Sequence, residues 1–237
     1  MWFKKNKGKI IAAVVVIALL VTVFYFGGNA PGSKGWGTVD NEPTPTPTAT
    51  PAPTEPTPEP TMEIDPETGK DRYMTEPVPE GKPQPVEPQD VVVGDSEYTC
   101  TISISCATIL DNMELCDPEK ANLVPEDGWI LQPMEVTFYE GESVFNVLQR
   151  VCKQQKIHME FMNTPIYNSA YIEGINNLYE FDVGELSGWM YSVNDWYPNY
   201  GCSRYQLCDG DVICWVYTCD LGFDVGGGYS IGNGGQV

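Results

Sequence analysis

Fifteen of the chain's twenty prolines fall between Pro31 and Pro88, and this decides where a fold can form. Within that span, NEPTPTPTATPAPTEPTPEPT alternates Pro with Thr and Glu and contains no large apolar residue. Proline removes a backbone donor, and a segment with no apolar surface to bury cannot offset the entropy of ordering. Residues 27–90 are therefore expected to form a disordered stalk, biased toward a polyproline conformation rising about 3.1 Å per residue. Such a stalk serves as a plain linker or as a spacer through a cell wall, and its Thr-Pro density suits O-glycosylation.

Ahead of the stalk, MWFKKNKGK carries four lysines and is followed by the apolar run IIAAVVVIALLVTVFYF, residues 10–26. At about 1.5 Å per residue this run sits at the short end of what spans a bilayer. It is long for a signal-peptide apolar region, and GGNAPGSKG offers no convincing cleavage site, so an uncleaved signal anchor is expected. The lysines of 1–9 keep that segment inside the cell and place residues 27 onward outside it, in the extracytoplasmic space. A cleaved signal peptide is the alternative, and it too exports the rest. At the other end, GFDVGGGYSIGNGGQV is low in complexity, and 225–237 are expected to be a flexible tail.

One foldable segment remains, 91–224, near the usual size for a single core. It holds all eight cysteines: Cys100, Cys106, Cys116, Cys152, Cys202, Cys208, Cys214 and Cys219. An even number in an exported segment favours disulfides, and with no CxxC present zinc and thioredoxin-like chemistry are disfavoured. Cys100 and Cys106 would lie about 20 Å apart on one extended strand at 3.3 Å per residue, too far to bridge each other. From Val91 onward five Lys or Arg face twenty-one Asp or Glu, which repels nucleic acid and anionic lipid. The acids form no Asp-x-Asp-x-Asp-Gly loop, so no calcium or other metal site is expected.

Periodicity supplies a coarse fold. TCTISISC alternates as a half-buried strand, MEVTFYE reads as a second, and IHMEF, YIEGI, NLYEF, GWMYSV and DVICWVY read as further short strands. Between the second and third, GESVFNVLQRVCKQQ places Val144, Val147, Leu148, Val151 and Cys152 at helical spacing after Ser143, a plausible N-cap. The class is α+β, with one helix packed on a mixed or antiparallel sheet.

SGWMYSVN, then YPNYG, then YQLCDGDVI, together with the GESVFNVL helix, resemble the transcobalamin-like C-terminal domain family over residues 98–220. The resemblance implies a β-grasp-type module common on Gram-positive cell surfaces. It also implies that the hairpin from Trp189 to Tyr200 contacts a ligand, since the equivalent hairpin in cobalamin carriers closes over one face of cobalamin. This chain contains no helical-barrel domain to hold the other face, so a partner surface protein supplying the second half of a site is an associated expectation. Cys208 and Cys214 flank the Asp-Gly-Asp turn where the family is expected to carry charged residues, and an extra cross-strand bridge would explain them.

The ligand-contacting candidates are Trp189, Tyr191, Asn194, Asp195, Trp196, Tyr197, Asn199 and Tyr200. Alternation sends Trp189, Tyr191 and Val193 to one face of GWMYSV, which makes Trp189 a core candidate as well. Trp196, Tyr197 and Tyr200 lie beyond the Asn194-Asp195 turn, where rigid aromatic area suits stacking on a corrin, a sugar or a peptide. Catalysis is not expected: His158 is the only histidine, and no Gly-x-Ser-x-Gly or phosphate loop occurs. The chain reads as a membrane-anchored surface binding module, with cobalamin or another corrinoid as ligand rather than cofactor. The alternative is a structural or adhesive protein contacting wall glycan or another protein.

Overall fold

A computed structural model describes residues 63–231. The segment 1–9, the apolar run 10–26, stalk residues 27–62 and tail residues 232–237 lie outside the described residues. Among those described, no helix is long and apolar enough to cross a membrane.

Seven strands and one α-helix make up the α+β domain: β1 (Glu97–Ser105), β2 (Trp129–Tyr139), α1 (Val144–Gln155), β3 (Met159–Thr164), β4 (Ser169–Ile175), β5 (Leu178–Tyr179), β6 (Gly188–Val193) and β7 (Val212–Thr218). Four strands form a mixed sheet in the order β2-β1-β7-β6, and three form a second sheet in the order β3-β4-β5. β1 and β7 run parallel at the centre of the mixed sheet, with Ile102 beside Ile213 and Ile104 beside Trp215. These four side chains are buried, as period-2 alternation on a half-covered sheet requires.

Against that face lies α1. Its buried residues are Val144, Val147, Leu148, Val151 and Cys152, the stripe read from the sequence. Ser143 caps the first turn: its Oγ accepts from the Asn146 amide, and the Asn146 side chain accepts from the Ser143 amide. Burying each aliphatic side chain is worth about 1.5–3 kcal/mol. That exceeds the few tenths by which each valine disfavours helix, so packing sets the conformation.

β2 is longer than MEVTFYE because it begins at Trp129 and passes through Pro133. It lies at the sheet edge, where a strand tolerates proline, and its pairing with β1 slips register between Ile102 and Ile104, opposite that residue. NLYEF contributes only Leu178–Tyr179 as strand, joined to β4 through Asn176 and Asn177, both with positive φ. That is the backbone a two-residue hairpin turn demands.

Two expected disordered segments are partly packed on the domain. Residues 63–90 of the expected stalk form an arm against it, and 225–231 of the expected tail lie beside β6, where the Tyr197 hydroxyl donates to the Val225 carbonyl (3.0 Å). The arm contains Ile64, Tyr73, Met74, Val78 and Val86, apolar residues that 41–61 lacks, and Val78 packs against the main core. All eight cysteines are thiols in this structure; Cys208 and Cys214 are not bridged. Cys100, Cys152 and Cys202 share the main core, whereas Cys106, Cys116 and Cys219 gather with Ile109, Leu178, Val183 and Tyr217 in a smaller one.

Candidate functional site

β6 ends in a tight turn at Asn194 and Asp195, whose φ angles of 52° and 62° place both in the left-handed region. Val193 and Trp196 close it through two reciprocal backbone hydrogen bonds. The Asn194 side chain then ties the turn to β7, donating to the Asp211 carboxylate (2.7 Å) and accepting from the Val212 amide (2.9 Å). Both turn residues are exposed, and the Asn194 side chain is occupied in holding the hairpin.

The aromatic residues around the turn point inward. Trp189 donates its indole N–H to the Leu178 carbonyl (2.8 Å) and meets Tyr217 edge to face. Tyr191 is buried and donates to the Tyr200 carbonyl, while Tyr197 is buried against residues 225–229 and its backbone amide donates to the Tyr229 hydroxyl. Trp196, Tyr200 and Tyr205 form one aromatic group, Tyr200 and Tyr205 being stacked with centroids 6.1 Å apart. The expectation that Trp196, Tyr197 and Tyr200 form an open contact surface is corrected here, since each is no more than 8% exposed.

What covers Trp196 and Tyr200 is the arm. The Tyr200 hydroxyl donates to the Pro83 carbonyl (2.7 Å), the Asn199 amide donates to the Glu76 carbonyl (3.0 Å), and the Lys82 ammonium lies 5.3 Å over the Trp196 ring. Arg204 completes the contact. Its guanidinium donates to Asp71 (2.8 Å), Thr75 (2.6 Å) and, more distantly, Glu87 (3.4 Å), and Tyr73 lies beneath it. Arg204 is 1% exposed, so its charge is stable there only because these partners satisfy it. The sequence reading missed this residue. Its signal was an arginine beside Tyr205 in a domain with five basic residues, but its partners stand more than a hundred positions away.

Beside this contact a hollow of about 530 Å³ opens at the Pro198–Gly201 end of the hairpin. Tyr167, Tyr171, Tyr200 and Tyr229 line it with Pro198 and Asn199. Gly201 permits the close approach of this loop to β4, because a Cβ there would collide with Ser169. The Asn199 Oδ1 is buried with no hydrogen-bond partner. Such an acceptor costs about 1–3 kcal/mol unless something donates to it. A larger hollow of about 830 Å³ lies between the limbs of the arm and is walled mainly by the arm's own residues, including Asp65, Arg72 and Asp90.

Among the described residues no catalytic pair stands out. The His158 Nε2 lies 3.1 Å from Glu160, while Cys152 is buried on α1, where burial pushes its thiol up to about 12. Among the described residues, no three His, Cys, Asp or Glu side chains gather in a group that could hold a metal ion.

A protein-family model described as a domain of unknown function, DUF4430, matches residues 141–219, from the turn before α1 to the end of β7. Haptocorrin in complex with Cbi is a similar solved structure, with 13% identity and a TM-score of 0.40 over 53% of this chain. The chain spans about a quarter of haptocorrin's length (26%). A protein from Ruminococcus gnavus ATCC 29149, described as metal binding, is similar at 11% identity and a TM-score of 0.31, covering 51% of this chain and 96% of its own. No curated protein sequence matches the chain.

Proposed function

We propose that the chain is a membrane-anchored binding module, a β-grasp-like domain displayed outside a bacterial cell, and that its ligand sits in the hollow at Asn199. The unpartnered Asn199 Oδ1 beside tyrosine walls carries this reading. A buried acceptor next to exposed aromatic area suits a ligand that offers a ring face or edge together with an N–H or O–H donor. Cobalamin and other corrinoids present carboxamide donors around a broad ring, and they remain the first ligands to test. Of the ligand-contacting candidates, Asn199 and Tyr200 line the hollow; Trp189, Tyr191, Trp196 and Tyr197 are packed elsewhere in the domain.

The test is equilibrium dialysis of the full chain, in detergent, against cobinamide and cobalamin. Retention is expected, reduced about 2- to 10-fold in Asn199→Ala by loss of one hydrogen bond. Absence of retention at millimolar corrinoid overturns the corrinoid reading. Retention that Asn199→Ala leaves untouched moves the ligand away from this hollow.

A further inference from the structure

We infer that residues 71–87 are an exchangeable clasp: the arm of one copy can dock on the Tyr200–Arg204–Tyr205 face of a second copy in place of that copy's own arm. The inference does not rest on a ligand at Asn199, although the clasp shares Asn199, Tyr200 and the arm residues Thr75 and Glu76 with that hollow. The arm carries a complete set of complementary groups within seventeen residues. Asp71, Thr75 and Glu87 satisfy Arg204, the Glu76 and Pro83 carbonyls take the Asn199 and Tyr200 donors, and the half-buried Val78 packs against the main core. A Pro-rich segment whose carbonyls are read by aromatic hydroxyls is a known peptide-docking mode, because such a segment loses little entropy on binding.

Three features make the clasp separable from the fold. The arm belongs to neither sheet, and among the described residues its one backbone-to-backbone hydrogen bond with the domain before Gly94 runs from the Val86 amide to the Arg204 carbonyl. It joins β1 through a connector in which Val92 and Val93 are 85% and 53% exposed. Lifting the arm opens Arg204 to water rather than stranding it in apolar surroundings, because the arm supplies the carboxylates around it.

Every copy carries the same arm and the same face, so docking within one chain and between chains makes identical contacts. The balance then follows effective concentration, on the order of millimolar for a short tether. Dilute chains close on themselves, and chains crowded on a surface exchange arms. Arg204 favours this occupant over an unrelated Pro-rich peptide because it needs a carboxylate and a hydroxyl at the spacing of Asp71 and Thr75.

Equal amounts of unlabelled and ¹⁵N-labelled full chain, co-reconstituted in phosphatidylcholine vesicles at rising density, test this with a zero-length carbodiimide. Lys82 shares a hollow with Glu140 and Asp209, so the reagent couples arm to face. Peptides joining one labelled and one unlabelled partner are expected at high density, and they are expected to fall several-fold in Asp71→Asn. Pairs that stay wholly unlabelled or wholly labelled at every density overturn the inference, as do mixed pairs that Asp71→Asn leaves unchanged.

Discussion

Asp71 shows how single side chains hold the arm. Burial raises its pKa, but hydrogen bonds from Arg204 and from the Thr75 and Tyr73 amides outweigh that effect, leaving it below the ordinary 3.8. The sign follows. An acid whose folded pKa is depressed stabilises the docked arm above the unfolded value, and that stability is lost as pH falls through the folded pKa. A ¹³C titration of the Asp71 carboxyl is expected to show a midpoint below 3.8, with arm resonances shifting together; a midpoint at or above 3.8 means that Arg204 is not its partner in solution. Tyr200→Phe removes only the bond to Pro83 and is expected to weaken arm docking by about 0.5–1.5 kcal/mol, read as faster hydrogen exchange at the Val86 amide. At this scale the turn was legible, because Asn-Asp beyond an alternating run signals left-handed backbone. The covering of Tyr200 was not, because Pro83 lies 117 positions away in a tract whose composition reads as disordered.

Among the elements, α1 was the most legible, since its apolar stripe and its serine cap are both local. Ser143→Ala removes the reciprocal capping pair and is expected to cost about 1 kcal/mol. Leu148→Ala, at a fully buried position facing the mixed sheet, is expected to cost about 2–5 kcal/mol. Urea unfolding of the two variants checks both values, and equal losses would mean that the helix is held by its end rather than by its buried face. The strands were less legible for a physical reason. β2 alternates in burial only from Met134 to Tyr139; its first half, at the sheet edge and running through Pro133, does not, and no local pattern there tells an edge strand from a loop. β5 is two residues long and exists because the Asn176-Asn177 turn folds it back on β4. The parallel pairing of β1 with β7 joins residues more than a hundred positions apart, and only tertiary packing selects it.

At the scale of the whole molecule, packing among the described residues follows apolar content rather than proline content. Proline density continues to Pro88, yet the arm packs from within residues 63–90 because Val78 and its neighbours supply surface to bury. The cysteines bear on where this molecule resides. Burial pushes the thiols of Cys100, Cys106, Cys152 and Cys202 up to about 12, so as thiols they would be inert toward alkylation near neutral pH while folded. Three cysteines share each core, so pairing confined to the cores leaves one thiol over in each. Complete oxidation therefore requires a bridge that leaves each core, toward Cys208 or Cys214 or across to the other core. Export into an oxidising space favours such completion. The full chain isolated without reductant from the cells that express it, denatured and treated with iodoacetamide, is expected to take up no label, and eight labels after reduction. Eight labels before reduction would place the domain in a reducing compartment and remove the disulfides with it. Four labels would mean that bridges form within each core and stop there, leaving one thiol in each core together with Cys208 and Cys214, identifiable by peptide mapping.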